Sequence, residues 1–183
     1  MSKPHASITP ELKNWIEQQP MFFLASAPLQ ADGHINLSPR GLDSLRVLGD
    51  LHVSILDLTG SGNETAAHLA QNARLTLMFC AFAGEPRILR LYGRGRVITP
   101  HDDEWRHARQ HFPAAQPGVR QIFDLRVTRV QTSCGFGVPL MNVIGQRDLL
   151  NKWAMQKGPD GIRAYQRDKN NVSIDGLIAP KLG

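Results

Sequence analysis

The sequence predicts a mainly β, α+β fold: an antiparallel β-barrel with flanking helices. Strand-like apolar runs recur between Met21 and Gln131, and the turn signatures Asp32-Gly33 and Gly49-Asp50 fold consecutive runs back on one another. Helical patterns are few and short, so an alternating strand–helix series of parallel strands accounts for the chain less well than a barrel.

Taken in order, Thr9 as N-cap and Pro10 at the first helical position open a short amphipathic helix. Leu12, Trp15 and Ile16 share its apolar face, and Pro20 ends it. Met21 to Ala27 reads as a buried strand. Asp32-Gly33 is a hairpin turn that returns the chain as Ile35 to Ser38, and Gly49-Asp50 joins Leu45–Leu48 to Leu51–Leu58. A helix is expected over Asn63 to Gln71. Leu75–Phe82 and Ile88–Ile98 are apolar runs separated by the turn Ala83-Gly84-Glu85-Pro86, a second helical pattern covers Asp102–Phe112, and Ile122–Gln131 supplies a late strand.

From about residue 145 the texture changes to a helical C-terminal extension, with helix-compatible stretches Gln146–Gln156 and Asp160–Arg167 broken at Gly158. Trp153 and Tyr165 sit among charges there, an arrangement suited to packing on another surface such as a partner subunit.

The chain of 183 residues can bury roughly 70% of its unfolded surface in one core, so residues 1–183 are read as a single domain. Charged residues at 20% and hydrophobic ones at 42% exclude a disordered or fibrous chain. No apolar run approaches the roughly 18 residues of a membrane span, and Met1-Ser2-Lys3-Pro4-His5 leads into a polar helix rather than a signal segment. A cytoplasmic protein without membrane contact is expected. Two cysteines are too few for a disulfide framework, and Cys80, in an apolar run, reads as a small buried hydrophobe.

The net charge of +5 is spread singly rather than in a basic run, which argues against a nucleic-acid partner and suits an anionic cofactor. Arg90, Arg94 and Arg96 share one parity of a strand whose other face carries Leu89, Leu91 and Val97.

The most informative run is Thr59-Gly60-Ser61-Gly62-Asn63-Glu64-Thr65, which joins the strand ending Asp57-Leu58 to a helix. Two glycines let backbone N–H groups converge, Asn63 is a candidate N-cap, and the hydroxyls of Thr59, Ser61 and Thr65 add donors, so the loop suits a phosphate.

With Asn36-Leu37-Ser38-Pro39-Arg40-Gly41 upstream and Arg90-Leu91-Tyr92-Gly93-Arg94-Gly95 downstream, this loop resembles that of the pyridoxamine 5′-phosphate oxidase-like family, over about Phe22 to Gly137. The resemblance implies an FMN-binding split β-barrel and a homodimer with flavin sites at the subunit interface, acting on a small-molecule substrate. It implies cofactor contacts from Ser38, Pro39, Arg40 and Gly41, and from Asp57, Leu58, Thr59 and Gly60. Asn63, Glu64 and Thr65 stand where the oxidases of the family carry Ser-Arg-Lys to grip the phosphate. Those cations must be replaced, and Arg40, Arg87 and Arg90 are the candidates, because arginine grips phosphate with paired donors. Glu64 belongs at the helix N-terminus, which favours a carboxylate, or on a ribityl hydroxyl.

His68, beside Ala66, Ala67 and Leu69, reads as a packed histidine. His107 and His111 have metal-site spacing without accompanying ligands and read as a wet helix face, so no metal is expected. There is no G-x-S-x-G elbow and no paired-carboxylate signature, so chemistry falls to the flavin, and no catalytic side chain is assigned. The resemblance thus implies an FMN-dependent oxidoreductase or flavin reductase. Pyridoxamine phosphate oxidation itself is not expected, since Val130–Pro139 lacks the late tryptophan and Arg-x-His element of the oxidases. A non-catalytic flavin carrier or sensor, and a haem- or deazaflavin-binding relative on the same barrel, remain the alternatives.

Overall fold

The computed structural model describes residues 3–182; Met1 and Ser2, the start of the N-terminal stretch considered above, and Gly183 lie outside them. The elements run β1 (Lys3–His5), α1 (Pro10–Glu17), β2 (Phe22–Ser26), β3 (Asn36–Arg40), β4 (Leu45–Gly49), β5 (His52–Leu58), α2 (Glu64–Asn72), β6 (Arg74–Cys80), β7 (Ile88–Ile98), α3 (Trp105–Arg109), β8 (Val119–Ser133) and α4 (Leu149–Lys169).

Every described strand pairing is antiparallel, in the spatial order β3-β2-β6-β7-β8-β5-β4 with β1 added to β8. Strand β8 is the spine. Its residues bond β7 along one edge and β5 along the other, and its end also carries β1, which the sequence did not signal.

Alternation sets the core. Leu24, Val53, Ile55, Leu77, Phe79, Leu89, Leu91, Phe123 and Leu125 point to the inner side, where Leu12 and Ile16 of α1 and Ala66, Ala67 and Leu69 of α2 join them. The opposite parity of β5, β7 and β8 offers Leu56, Ile98 and Ile122 to a smaller layer with Phe112 and Trp105. Cys80 is buried, as its apolar run predicted.

Thr9 caps α1, its Oγ1 accepting from Leu12 N at 3.2 Å. The hairpin at Asp32-Gly33 exists, but β2 and β3 are linked by the longer loop 27–35, with Gly33 N donating to Gln30 O at 3.3 Å. Pro39 sits in β3, an edge strand, which is where a sheet tolerates the missing N–H. The helix expected over Asp102–Phe112 shortens to α3, because Thr99 and Asp102 form a turn: Asp102 accepts from Thr99 N at 2.6 Å and from Thr99 Oγ1 at 2.8 Å.

In α4 the break is where the sequence put it. Gly158 has φ 66° and precedes Pro159, and the resulting kink brings Trp153 edge-on to Tyr165 at 5.1 Å. An unbroken helix would separate them by about 18 Å. The two aromatic rings therefore pack on each other within one chain, with Lys157 over both.

Candidate functional site

Strand β5 positions the site. Its inward residues are Val53, Ile55 and Asp57, so the alternation that fills the core drives a carboxylate into the barrel's end. Asp57 is fully buried. The register of β8 against β5 slips between Asp57 and Leu58, leaving Arg120 as the extra residue of a bulge. The bulge turns both Arg120 and Gln121 toward Asp57: Arg120 Nε and Gln121 Nε2 each donate to Oδ2 at 2.8 Å, while Arg40 of β3 donates through Nη1 to Oδ1.

Burial pushes the Asp57 carboxyl up, but the guanidinium groups of Arg120 and Arg40 and the hydrogen bonds from Arg120 and Gln121 outweigh it and hold the group below its ordinary value. One buried anion thus fixes two arginines from strands that are not neighbours. Arg40 also lies 5.5 Å from the Phe123 ring centroid, and its Nε is buried without a hydrogen-bond partner.

Above this triad opens a cleft of about 730 Å³. Its walls are Ser38, Pro39, Arg40, Gly41 and Leu42 on one side and the loop Gly60–Thr65 on the other, with Leu56, Leu58 and Phe123 as an apolar floor. Leu42 has a positive φ of 60°, a costly conformation for a side chain of its size, held by Gln146 Oε1 accepting from Leu42 N at 3.2 Å. The last wall is the C-terminal segment, through Lys169, Val172, Ser173 and Ile174.

The phosphate-type loop is built differently from its sequence reading. Asn63 precedes α2, but its side chain makes no cap: Nδ2 donates to Asn170 O at 3.0 Å, and Oδ1 accepts from Gln121 Nε2 at 2.6 Å. Thr59 lies beneath the loop, accepting from Gln166 Nε2 of α4 at 2.7 Å. Asn170 Nδ2 donates to Gly60 O at 3.0 Å and Arg120 Nη1 to Gly62 O at 2.8 Å, so the carbonyls are tied back. Glu64 does begin α2, and its Oε2 accepts from Ile174 N at 3.0 Å.

Of the residues singled out from sequence, Ser38, Pro39, Arg40, Gly41, Leu58, Gly60, Asn63, Glu64 and Thr65 line the cleft. Asp57 and Thr59 support it from below. Arg90 does not line it: on the outer parity of β7, it donates to Ser133 Oγ at 3.1 Å. Arg87 lies elsewhere too, 5.6 Å from the Trp15 ring centroid and paired with Glu11 and Glu85.

The second cation is Arg120, which sequence reasoning missed. A lone arginine at the start of a strand carries no motif, and only the bulge reveals it. The C-terminal segment walls the cleft of its own chain through Val172, Ser173 and Ile174. His68 is packed as expected: it shares a 3.0 Å hydrogen bond with Ser26 through Nδ1, its Nε2 has no partner, and burial pulls its pKa down. His107 and His111 stack edge-on at 5.6 Å, and among the described residues no group of three or more His, Cys, Asp or Glu could hold a metal ion. No described helix is long and apolar enough to cross a membrane.

The model of the pyridoxamine 5′-phosphate oxidase family matches residues 8–134. The family protein ustO of Aspergillus flavus is 38% identical over 189 residues, covering 94% of this chain and 76% of that protein. Among solved structures, HupZ of Group A Streptococcus superposes with a TM-score of 0.55 at 20% identity, over 67% of this chain and 91% of that one. A Lactobacillus delbrueckii protein provisionally described as a pyridoxamine 5′-phosphate oxidase gives 0.53 at 19% identity, over 70% and 98%. These two share the split-barrel fold. The cleft's loop, its arginines and the strands that carry them fall inside the matched span, and the chain belongs to the pyridoxamine 5′-phosphate oxidase family.

Proposed function

We propose that the cleft binds FMN and that the protein is a flavin-dependent oxidoreductase or flavin reductase acting on a small molecule. The observation that carries this reading is the pair Arg40 and Arg120, fixed by Asp57 beside the Gly60–Asn63 loop. Two pre-positioned guanidinium groups over an apolar floor match an anionic tail joined to a flat ring. The buried, unpartnered Nε of Arg40 is a donor awaiting an acceptor. Ser38, Ser61, Thr65 and Lys169 supply further donors to phosphate and ribityl oxygens. A bound flavin would supply hydride and electron transfer, and the chain would orient it and set the charge around it.

Flavin is favoured over haem because no histidine, cysteine, methionine or tyrosine of the described residues lines the cleft, and these are the side chains that hold haem iron. A homodimer goes with this reading. Val172 and Ile174 on the cleft's wall, Ile178 in the same segment, Leu37 in β3 and Ile35 just before it are large, apolar and exposed, the kind of surface that a second copy covers.

The test is the visible spectrum of the purified protein with titration of FMN and riboflavin, followed by assay with reduced nicotinamides. A flavin spectrum, tighter binding of FMN than of riboflavin, and turnover are expected. A haem or deazaflavin spectrum, or equal affinity for riboflavin, refutes the FMN assignment, and bound FMN without turnover assigns a carrier.

A further inference from the structure

The segment after α4 is built as a unit. Asn170 is wholly buried at one end and Ala179 nearly so at the other, while Val172, Ile174 and Ile178 between them are exposed. Within the segment, Val172 bridges Ile178, Ser173 N donates to Leu177 O at 2.8 Å, and Ala179 N donates to Asn171 O at 2.9 Å. Gly176, with φ 76°, makes the turn, and Ser173 Oγ accepts from both Asp175 N and Leu177 N. Such a hairpin keeps its shape if it lifts as a body from its two buried ends.

Leu177 packs against the core and Ser173 is buried, and beyond these contacts few bonds hold the outer turn down. Asp175 accepts from His34 N at 2.8 Å and faces His34 Nδ1 at 2.6 Å, both in the loop between β2 and β3. Glu64 accepts from Ile174 N at 3.0 Å. Through Val172, Ser173 and Ile174 the same hairpin walls the cleft.

We propose that Asn171–Ile178 is a retaining strap over the cleft, that Asp175 latches it to His34, and that the latch governs how fast the cleft's ligand leaves. Asp175 is a positioning residue in this scheme, acting on the site through the strap. The structural half is independent of what the cleft binds; the ligand half rests on the FMN reading.

The latch is sensitive to pH. The charged and titratable groups facing it are His34 and Asp32 on the loop and Glu64 and His68 on α2. The hydrogen bond and charge of Asp175 raise the His34 pKa, and His34 in turn holds Asp175 low. The charge-assisted latch is therefore complete below the ordinary histidine value and weakens as pH rises through the raised His34 value. It fails again only in acid, when Asp175 takes up a proton.

Hydrogen-exchange protection factors of the Ile174 and His34 amides, which donate across the gap to Glu64 and Asp175, read the latch directly in protein without ligand. From pH 6 to pH 9 protection should fall about two- to fivefold, the scale of an exposed ion pair. His34→Gln should abolish that pH dependence, and Asp175→Asn should lower protection at both pH values. Protection that ignores pH in the unaltered protein, or is untouched by Asp175→Asn, overturns the latch. FMN release by stopped flow is the second readout: it should quicken with pH and in Asp175→Asn. If FMN binds and its release ignores a latch that exchange shows opening, the strap is not a retaining device. If the latch titrates but FMN does not bind, the cofactor reading fails and the latch stands.

Discussion

Arg120 donates through Nε to Oδ2 of Asp57 at 2.8 Å, with both side chains almost wholly buried. Such a pair is costly to break from one side, because the surviving charge has no water to turn to. Asp57→Asn should therefore destabilise the fold by about 3–5 kcal/mol in chemical denaturation. Because the folded-state Asp57 pKa is depressed, its contribution is present above the ordinary carboxylate value and disappears as pH falls through the lowered one. The gap between the unaltered protein and Asp57→Asn should thus be widest near neutrality and narrow in strong acid; a gap independent of pH would remove Asp57 as the charged hub.

Arg40→Ala should weaken FMN binding by about 1.5–3 kcal/mol and riboflavin binding much less, since the lost bond is to a charged group. Arg120→Lys should act in the same direction, because the donors to Asp57 and Gly62 O come from two separate guanidinium nitrogens, Nε and Nη1, which a single ammonium cannot replace in position. Arg87→Ala, far from the cleft, serves as the control. Fluorescence titration with both ligands separates these outcomes, and equal losses for FMN and riboflavin would move the arginines from the phosphate to the ring.

Gly93 faces a β-bulge where β8 carries one extra residue between Val127 and Arg129, and a Cβ there would lie 2.1 Å from Arg126 O. Neither strand's backbone can yield cheaply in the middle of the sheet. Gly93→Ala should cost about 1–3 kcal/mol or more, measured by thermal or urea unfolding. Gly60→Ala is the contrasting case, with nothing within 4 Å of its added Cβ, and should fold normally.

Light scattering at micromolar concentration should return a dimer. Removing residues from Gly145 onward takes away Gln166, Asn170 and Ile174, which hold Thr59, Gly60 and Glu64, so flavin retention should be lost even where the strands survive in circular dichroism. A truncated protein that keeps FMN at full affinity would show that the C-terminal segment does not build the site.

The fold was legible because its signals are local. The strand run Leu51–Leu58, continuous apolar runs in β6 and β7, and the Gly158-Pro159 break each report on neighbouring residues only, and the structure keeps them all. Half of the site was legible for the same reason: Ser38–Gly41 and Gly60–Thr65 are contiguous pieces. Asn63 shows the limit, since its capping competence is real but Gln121 and Asn170, brought in from far along the chain, claim its side chain first.

By itself the sequence determined the strand and helix periods, the antiparallel class, the glycine-containing loop and the family to which they point. The tertiary structure decided which cations meet at that loop. Arg40, Arg87, Arg90 and Arg120 are equivalent as residue types, and only β-sheet register and a bulge at Arg120 select two of them, by bringing Asp57 within hydrogen-bond reach. It also decided that the C-terminal segment folds onto its own cleft. Register and long-range closure depend on the summed packing of all eight strands, an energy that no local stretch of sequence carries.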